Sequence, residues 1–595
     1  MTSAAEKLNP TPLSVTGKRW VLRDEGFSQG LALSQRLGLP EIVGRVMANR
    51  GVGAEDARRY LEPSLQHLPD PAQFKDMDKA AARLATAITQ GEKIAVFGDY
   101  DVDGSCAAAM LLRYFRAVGV TSLLYIPDRL TEGYGPNVIA MQRLKEQGAQ
   151  LLITVDCGCI AFGPMAEAAK LGLDVIITDH HQADIKLPDC VAMVNPNRVD
   201  ENGLYGQLSG TGVAFLLLVA TNRLLREQGF FTPTKREPDL RTYLDLVATA
   251  TVADVVPLTG VNRLLVAKGL QQLGTRQNPG LKSLLDIAGV DTRPQAWHLG
   301  FALGPRINAG GRISSCDLGT RLLSTDDPIE AQRLAEHLHK LNADRQALEK
   351  AVLEEATLQA EKHMASSPVA LVLSADGWHP GVVGIVASRI KDLFHRPVFV
   401  LGSDGKVAKG SGRSVSGVDL GLCVQQLRPL LLAGGGHKMA AGITIEPAKI
   451  DEFRTALNEK VAGQIAKAPE ALTPKLSIDG LLRPGAGTLD LLESLAQLEP
   501  FGMGNPEPRF AFSGVKIEMP KVVGDGHLQI TVADLTKGRL RGIAFRAMHS
   551  ELGKFLMSTN GRMISVCGTL KANTWQGNTT VQLHLEDAHT QLWEQ

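Results

Sequence analysis

Lys93-Ile94-Ala95-Val96-Phe97-Gly98-Asp99-Tyr100-Asp101-Val102-Asp103-Gly104 is the stretch whose reading decides the fold. Its first half is a short apolar run without polar alternation, which fits a strand buried on both faces of a parallel sheet. Its second half is a tight acidic turn, and from Gly104 to Val118 the chain is rich in Ala and Leu and reads as a helix. The pattern recurs downstream. Ser122 to Ile126, Leu151 to Val155 and Asp174 to Thr178 read as strands, with helices near Asn137 to Gln147 and Phe162 to Leu171 between them. Alternation of this kind predicts an α/β fold with a parallel sheet and helices on both faces.

Two further strands end as the first does, in Thr154-Val155-Asp156-Cys157-Gly158 and in Thr178-Asp179-His180-His181. Ligands of parallel sheets gather at the carboxyl ends of the strands. The three acidic segments therefore meet at one edge. Magnesium and manganese prefer hard oxygen ligands, and manganese also accepts imidazole, so this donor set suits a pair of divalent ions. Two ions about 4 Å apart would lower the pKa of a shared water and clamp a phosphoryl displacement. Taken alone, Asp99, Asp101 and Asp103 would suit turn and helix N-cap positions equally well. The recurrence of acids at three strand ends is what favours a metal centre.

The rest of the chain frames this site. Its 595 residues point to about three or four domains. The 63 basic and 63 acidic side chains cancel, which excludes a globally basic nucleic-acid coat protein but permits a local basic groove. Seven scattered cysteines do not look like a disulfide framework, and Cys157-Gly158-Cys159 lacks a second ligand pair for zinc, so it reads as packing. The polar N-terminus and the lack of a long uncharged apolar run predict a soluble, cytoplasmic protein. Further along, Gly210 to Leu225 and Leu244 to Ala253 read as helices, followed by the loop Asp254-Val255-Val256-Pro257-Leu258. Pro328 to Met364 has no internal Pro or Gly and reads as a long connector helix. A second α/β unit begins near Pro368 and carries three glycine-rich loops, Trp378-His379-Pro380-Gly381, Lys409-Gly410-Ser411-Gly412-Arg413-Ser414 and Gly434-Gly435-Gly436-His437. After about Leu472, short alternating strands suggest a small β-barrel. The expected division is a lead-in over 1–74, a catalytic domain over 75–326, the connector over 327–366, a substrate-binding α/β domain over 367–470 and the barrel over 471–595.

Asp-Tyr-Asp-Val-Asp-Gly, Val-Asp-Cys-Gly and Asp-His-His, followed by Ala253-Asp254 and Gly435-Gly436-His437, resemble the signature of the DHH phosphoesterase superfamily. Within it, Glu132-Gly133-Tyr134-Gly135, Gly304-Pro305-Arg306-Ile307-Asn308-Ala309-Gly310-Gly311-Arg312, the connector and the barrel resemble the RecJ branch of single-strand-specific 5′ to 3′ DNA exonucleases over roughly residues 40 to 590. The resemblance implies a two-lobed core and a C-terminal OB-fold. It implies that Asp101, Asp103, Asp156, His180 and Asp254 hold one or two Mn²⁺ or Mg²⁺ ions, with Asp99 a ligand or close beside them. Asp179 would orient His180, and His181 would face the scissile phosphate, so Asp156, Asp179 and His181 form the expected catalytic set. DNA contacts are expected from Arg129, Arg306, Asn308, Arg312, Ser411, Arg413, His437 and Lys438, with Arg129 a candidate for the pocket that reads the 5′ end. On the barrel, Trp575, Phe545, Lys571, Arg541 and Arg546 would serve a stacking platform for single strands. Expected partners are single-stranded DNA, a single-strand-binding protein and a RecQ-type helicase.

Two other functions fit parts of the chain. One is a DHH phosphodiesterase acting on short oligonucleotides or cyclic dinucleotides, against which the barrel argues. The other is a non-catalytic DNA-binding replication scaffold, against which the intact acids argue. Phe501-Gly502-Met503-Gly504-Asn505-Pro506 reads as a rigid turn at the barrel entrance with no chemistry of its own.

Overall fold

The computed structural model describes residues 12–23, 26–129 and 131–593. The chain forms two compact units. One comprises residues 58–345 together with 499–506, and the other comprises 1–57, 346–498 and 507–595.

The first unit is built on five parallel strands: β1 (Ile94–Gly98), β2 (Ser122–Tyr125), β3 (Leu151–Val155), β4 (Asp174–Thr178) and β5 (Ala192–Val194). They are ordered β2-β1-β3-β4-β5. Every residue of β1 and β3 is buried, as their largely apolar runs require of a sheet covered on both faces. Register then positions the acids. Gly98 pairs with Val155, and Val155 pairs with Thr178, so the residues after these three strand ends come abreast. Helices α1 (Val102–Val118), α2 (Gly210–Glu227) and α3 (Leu244–Ala253) bury Tyr114, Phe115, Leu216, Leu217 and Leu246 in one core beneath that edge. Burying each such side chain contributes roughly 1.5–3 kcal/mol. The short β5 was not anticipated, since three residues are too few for a periodic signal.

Helix α4 (Pro328–Met364) covers the stretch that its composition indicated, and its 37 residues are divided between the two units. In the second unit, a mixed sheet of β6 (Leu371–Asp376), β7 (Val398–Ser403), β8 (Ala408–Arg413), β9 (Ala433–Gly436) and β10 (Ala440–Ile445) runs in the order β9-β10-β8-β7-β6. Helix α5 (Pro380–Phe394) packs on it. Two of the expected glycine-rich loops are therefore strands. Glycine has weak strand preference, but at Gly412 a side chain would lie 2.5 Å from the Phe399 ring, so close packing selects glycine there. A strand at Arg19–Leu22 pairs in parallel with Lys475–Ile478.

The barrel consists of β11 (Phe510–Val523), β12 (His527–Ala533), β13 (Arg539–Ala544), β14 (Ile564–Trp575) and β15 (Asn578–His589). Their order is β11-β12-β13-β15-β14, and β14 pairs back onto β11, which closes the barrel. No helix among the described residues is long and apolar enough to cross a membrane.

Candidate metal centre

Four of the strand-end acids, Asp99, Asp103, Asp156 and Asp179, are buried. Asp101 caps α1, its Oδ1 accepting from Gly104 N at 3.0 Å, so the cap role and membership of the cluster coexist. Two residues on, in the first turn of α1, Asp103 accepts from Gly210 N at 2.6 Å and Thr211 N at 2.7 Å, the first amides of α2. These bonds fix the carboxylate against a helix N-terminus, where negative charge is favoured. Asp156 sits at φ 60, in the left-handed region that Asp tolerates better than most residues. A side chain at Gly210 would come within 2.9 Å of Asp156 Cβ, so glycine there lets α2 approach the site.

The donor atoms converge in three groups: Asp99, Asp101 and Asp156; Asp103, His180 and Asp254; and Asp156, His180 and His181. Within each group they lie within 4.8 Å of one another. His180 Nε2 is 3.1 Å from Asp156 Oδ1, 3.6 Å from Asp254 Oδ2 and 3.8 Å from Asp103 Oδ2. Asp99 Oδ1, Asp156 Oδ1, His180 Nε2 and Asp254 Oδ2 are buried and make no hydrogen bond. Buried polar atoms almost always have a partner, so four such atoms spread over these adjoining donor groups fit bound cations. Electrostatics agree. Burial, followed by the neighbouring Asp101, pushes Asp99 up to about 8. Burial, followed by Asp103 and Asp101, pushes Asp254 up to about 8. Asp101 and Asp156 are raised as well, first by burial and then by Asp103. Carboxyls crowded in this way hold protons unless a positive charge replaces them, and the oxygen-rich donor set suits Mn²⁺ or Mg²⁺.

Asp179 does not orient the His180 ring. Its Oδ1 lies 2.8 Å from His181 Nδ1, and toward His180 it accepts only from the backbone N, at 2.7 Å. The reason is that Asp179 turns back to cap its own loop, accepting from Cys159 N and His181 N as well. Although burial opposes ionisation, the bond and charge of His181 hold Asp179 down to about 2. Burial lowers the His181 pKa, but the bond to Asp179 and the charges of Asp179, Asp254 and Asp101 push it up to about 9. One residue to which the sequence assigned no role joins here: the Tyr134 hydroxyl lies 3.1 Å from Asp156 O and 3.3 Å from His181 Nδ1. Tyr134 lay within Glu132-Gly133-Tyr134-Gly135, a motif of the resemblance that carried no role for it.

Arg306 and Arg312 lie in consecutive helical turns, Gly304–Ile307 and Ala309–Ile313, rather than beside a loop. Gly310 and Gly311 serve packing there, since side chains would lie 2.8 Å from Ser315 O and 3.1 Å from Tyr100 O. Arg306 donates to Ala302 O at 2.6 Å and to His339 Nδ1 at 3.2 Å, while Asn308 joins the two helical turns. The Arg129 guanidinium is 5.2 Å from the centre of the Tyr100 ring, beside the acidic run. In the second unit, Arg413 donates to Ser411 Oγ at 2.8 Å, and both side chains face Gly384 in α5. His437 and Lys438 line an open groove of about 620 Å³ with Asp419 and Arg428. On the barrel Phe545 and Trp575 are 55% and 73% exposed, and Arg541 and Arg546 are exposed, whereas Lys571 pairs with Glu507 at 2.6 Å. Cys157 and Cys159 are buried in an apolar cluster with Met165 and Ile177, as the packing reading held.

Comparison with known proteins matches three family models: the DHH family N-terminal domain over residues 93–251, the DHHA1 domain over 367–463 and the RecJ OB domain over 478–587. The single-stranded-DNA-specific exonuclease RecJ of Bacillus subtilis is 35% identical over 97% of this chain and 71% of its own length. That of Salmonella typhimurium is 37% identical over 92% of this chain and 96% of its own length. Crystal structures of RecJ from Thermus thermophilus superpose at TM-score 0.81 in complex with Mn²⁺ and 0.74 with Mg²⁺. Both cover 96% of this chain, at 32% and 31% identity, and they cover 80% and 79% of the RecJ chains.

Proposed function

Because the chain belongs to the RecJ family, we propose that it is a Mn²⁺- or Mg²⁺-dependent hydrolase that degrades single-stranded DNA from its 5′ end to mononucleotides, in DNA repair and recombination. The observation that carries this reading is the convergence of buried, unbonded donor atoms from Asp99, Asp156, His180 and Asp254. Asp99, Asp101, Asp103, Asp156, His180 and Asp254 would hold one or two ions, and Asp156 is common to two of the donor groups. When bound, such ions lower the pKa of an attacking water and offset charge on the phosphate.

The chain's own residues do the rest. Asp179 keeps a proton on His181 Nδ1 and leaves Nε2 to face the substrate. Held through Nδ1 by the Asp179 carboxylate, which favours its protonated form, His181 is the group placed to donate from Nε2 to a phosphate or leaving oxygen. Arg129, Arg306, Asn308 and Arg312 in one unit, and Ser411, Arg413, His437 and Lys438 in the other, supply phosphate contacts, arginine pairing in bidentate fashion. Phosphate contacts carry no base information, so the enzyme reads strandedness rather than sequence. Exposed Phe545 and Trp575 offer faces on which successive bases stack. A match to the RecJ OB domain over residues 478–587 favours a long polymeric substrate over a cyclic dinucleotide. Work in the cytoplasm beside a single-strand-binding protein and a RecQ-type helicase completes the proposal.

The test is digestion of 5′-labelled and 3′-labelled single strands and of duplex, with Mn²⁺ or Mg²⁺ and with chelator. Early release of the 5′ label from single strands alone is expected. Early loss of the 3′ label, or turnover by Asp156→Ala, would overturn the assignment.

A further inference from the structure

We propose that Phe501–Pro506 is a brace that positions Asp254 and thereby sets the affinity of the metal centre. The inference rests on the metal-centre reading above. This segment leaves the rest of the C-terminal chain: residues 499–506 belong to the unit built on 58–345, while the residues on either side of them do not.

The loop it contacts needs support. Directly after Asp254, Val255 sits at φ 59, a left-handed conformation that is a steric outlier for a β-branched residue. Val255 is 58% exposed, so its own packing does not hold it there. Such strain persists where neighbouring structure over-determines it. On one side the end of α3 anchors the loop, with Asp254 N donating to Ala250 O at 2.9 Å and Val255 N to Val252 O at 3.2 Å. On the other side the anchor is the brace, because Leu258 N donates to Met503 O at 2.7 Å. Gly502 and Gly504 lie against the same loop so closely that added side chains would stand 2.7 Å from Leu258 Cδ1 and 3.0 Å from Pro257 Cβ. Buried Asn262 holds Pro257 O at 3.0 Å from within the unit.

The brace is itself locked. Gly502 and Asn505 exchange backbone hydrogen bonds, and Asn505, 1% exposed, donates through Nδ2 to Pro500 O at 2.8 Å and accepts from Tyr60 OH at 2.9 Å. Arg263 donates to Glu499 O at 2.7 Å and Tyr60 O at 3.0 Å, with its guanidinium 3.7 Å from the centre of the Tyr60 ring. Metal-ligand sites need their side chains held to within about 0.5 Å. Asp254 has one end of its loop fixed by a helix and the other by this segment, so Phe501–Pro506 is a positioning element. It does not touch the reacting atoms.

The experiment uses the full chain. Mn²⁺ binding is measured by titration calorimetry, alongside the Mn²⁺ concentration for half-maximal activity, kcat at saturating Mn²⁺ and KM for a single-stranded oligonucleotide. Gly504→Ala, at φ +71 and against Pro257, is expected to weaken Mn²⁺ binding about tenfold and raise the half-maximal concentration in step. Saturating Mn²⁺ should restore kcat, with KM unchanged. Tyr60→Phe removes a single hydroxyl and serves if Gly504→Ala fails to fold; it is expected to weaken binding about threefold. Folded variants with wild-type Mn²⁺ affinity, or a raised KM with unchanged metal dependence, would overturn the brace. Loss of Mn²⁺ binding in the wild type itself would instead overturn the metal centre.

Discussion

Replacing Asp254 by Asn should stabilise the protein in chelator at neutral pH, and by clearly less in Mn²⁺. In the folded state burial and the charges of Asp103 and Asp101 push Asp254 from 3.8 up to about 8. The folded chain therefore keeps a proton that the unfolded chain releases above pH 3.8. Stability falls as pH rises across that window, at about 1.4 kcal/mol per pH unit. From 3.8 to 7 this amounts to at most about 4 kcal/mol. A neutral amide removes that cost, so the gain of Asp254→Asn over wild type in EDTA should be near zero below pH 4 and largest above pH 8. In Mn²⁺ at about a hundred times its Kd, the wild type gains about 2.7 kcal/mol by mass action, while the variant, short of one donor, gains less. Urea unfolding followed by circular dichroism at pH 5, 7 and 8, with EDTA or Mn²⁺, reads all of these. A variant no more stable than wild type in EDTA at pH 8, or a gain as large at pH 5 as at pH 8, would refute the reasoning.

Tyr134→Phe removes the hydroxyl beside Asp156 O and His181 Nδ1, which at about 1 kcal/mol should lower kcat roughly fivefold in steady-state assays with KM unchanged. Asp479→Ala strips Arg50 of bonds at 2.7 and 3.2 Å and Arg23 of one at 3.3 Å in a buried setting. It should cost about 3–5 kcal/mol, read from the urea midpoint. Trp575→Ala at an exposed hairpin tip should weaken single-strand binding by about 1–3 kcal/mol in fluorescence anisotropy while melting stays unchanged; equal binding would remove Trp575 from the DNA face.

The acids at the metal centre were legible because a parallel sheet leaves little freedom: residues after the ends of β1, β3 and β4 come abreast once the strands are recognised. Asp254 was reached by resemblance alone, since it caps a buried helix and no local pattern ties it to the sheet edge. Tyr134 was missed as a contact because its loop carries no periodicity, and its position depends on tertiary packing against His181. The helical turns carrying Arg306 and Arg312 were hidden by glycines that usually mark loops but here permit close approach. Phe501–Pro506 looked like a rigid turn at the barrel entrance; it is a turn, but it belongs to the unit built on residues 58–345 rather than to the barrel. What escaped was its docking partner, the loop after Asp254, far away in sequence.

The pairing of Arg19–Leu22 with Lys475–Ile478 bears on the order in which this chain matures during synthesis. The strands of the catalytic sheet all lie between residues 94 and 194, and they can assemble as soon as they leave the ribosome. The N-terminal strand must wait for a partner made roughly 450 residues later, which at about 5–20 residues per second is on the order of half a minute or more. Trp20 waits longer still, because its indole N–H donates to Asp587 near the far end of the chain. Throughout that interval an apolar indole and an unpaired strand edge are open to neighbouring nascent chains. Residues 19–22 are thus among the last of the described residues to find their place, and this strand is where a translating cell has most reason to post a chaperone.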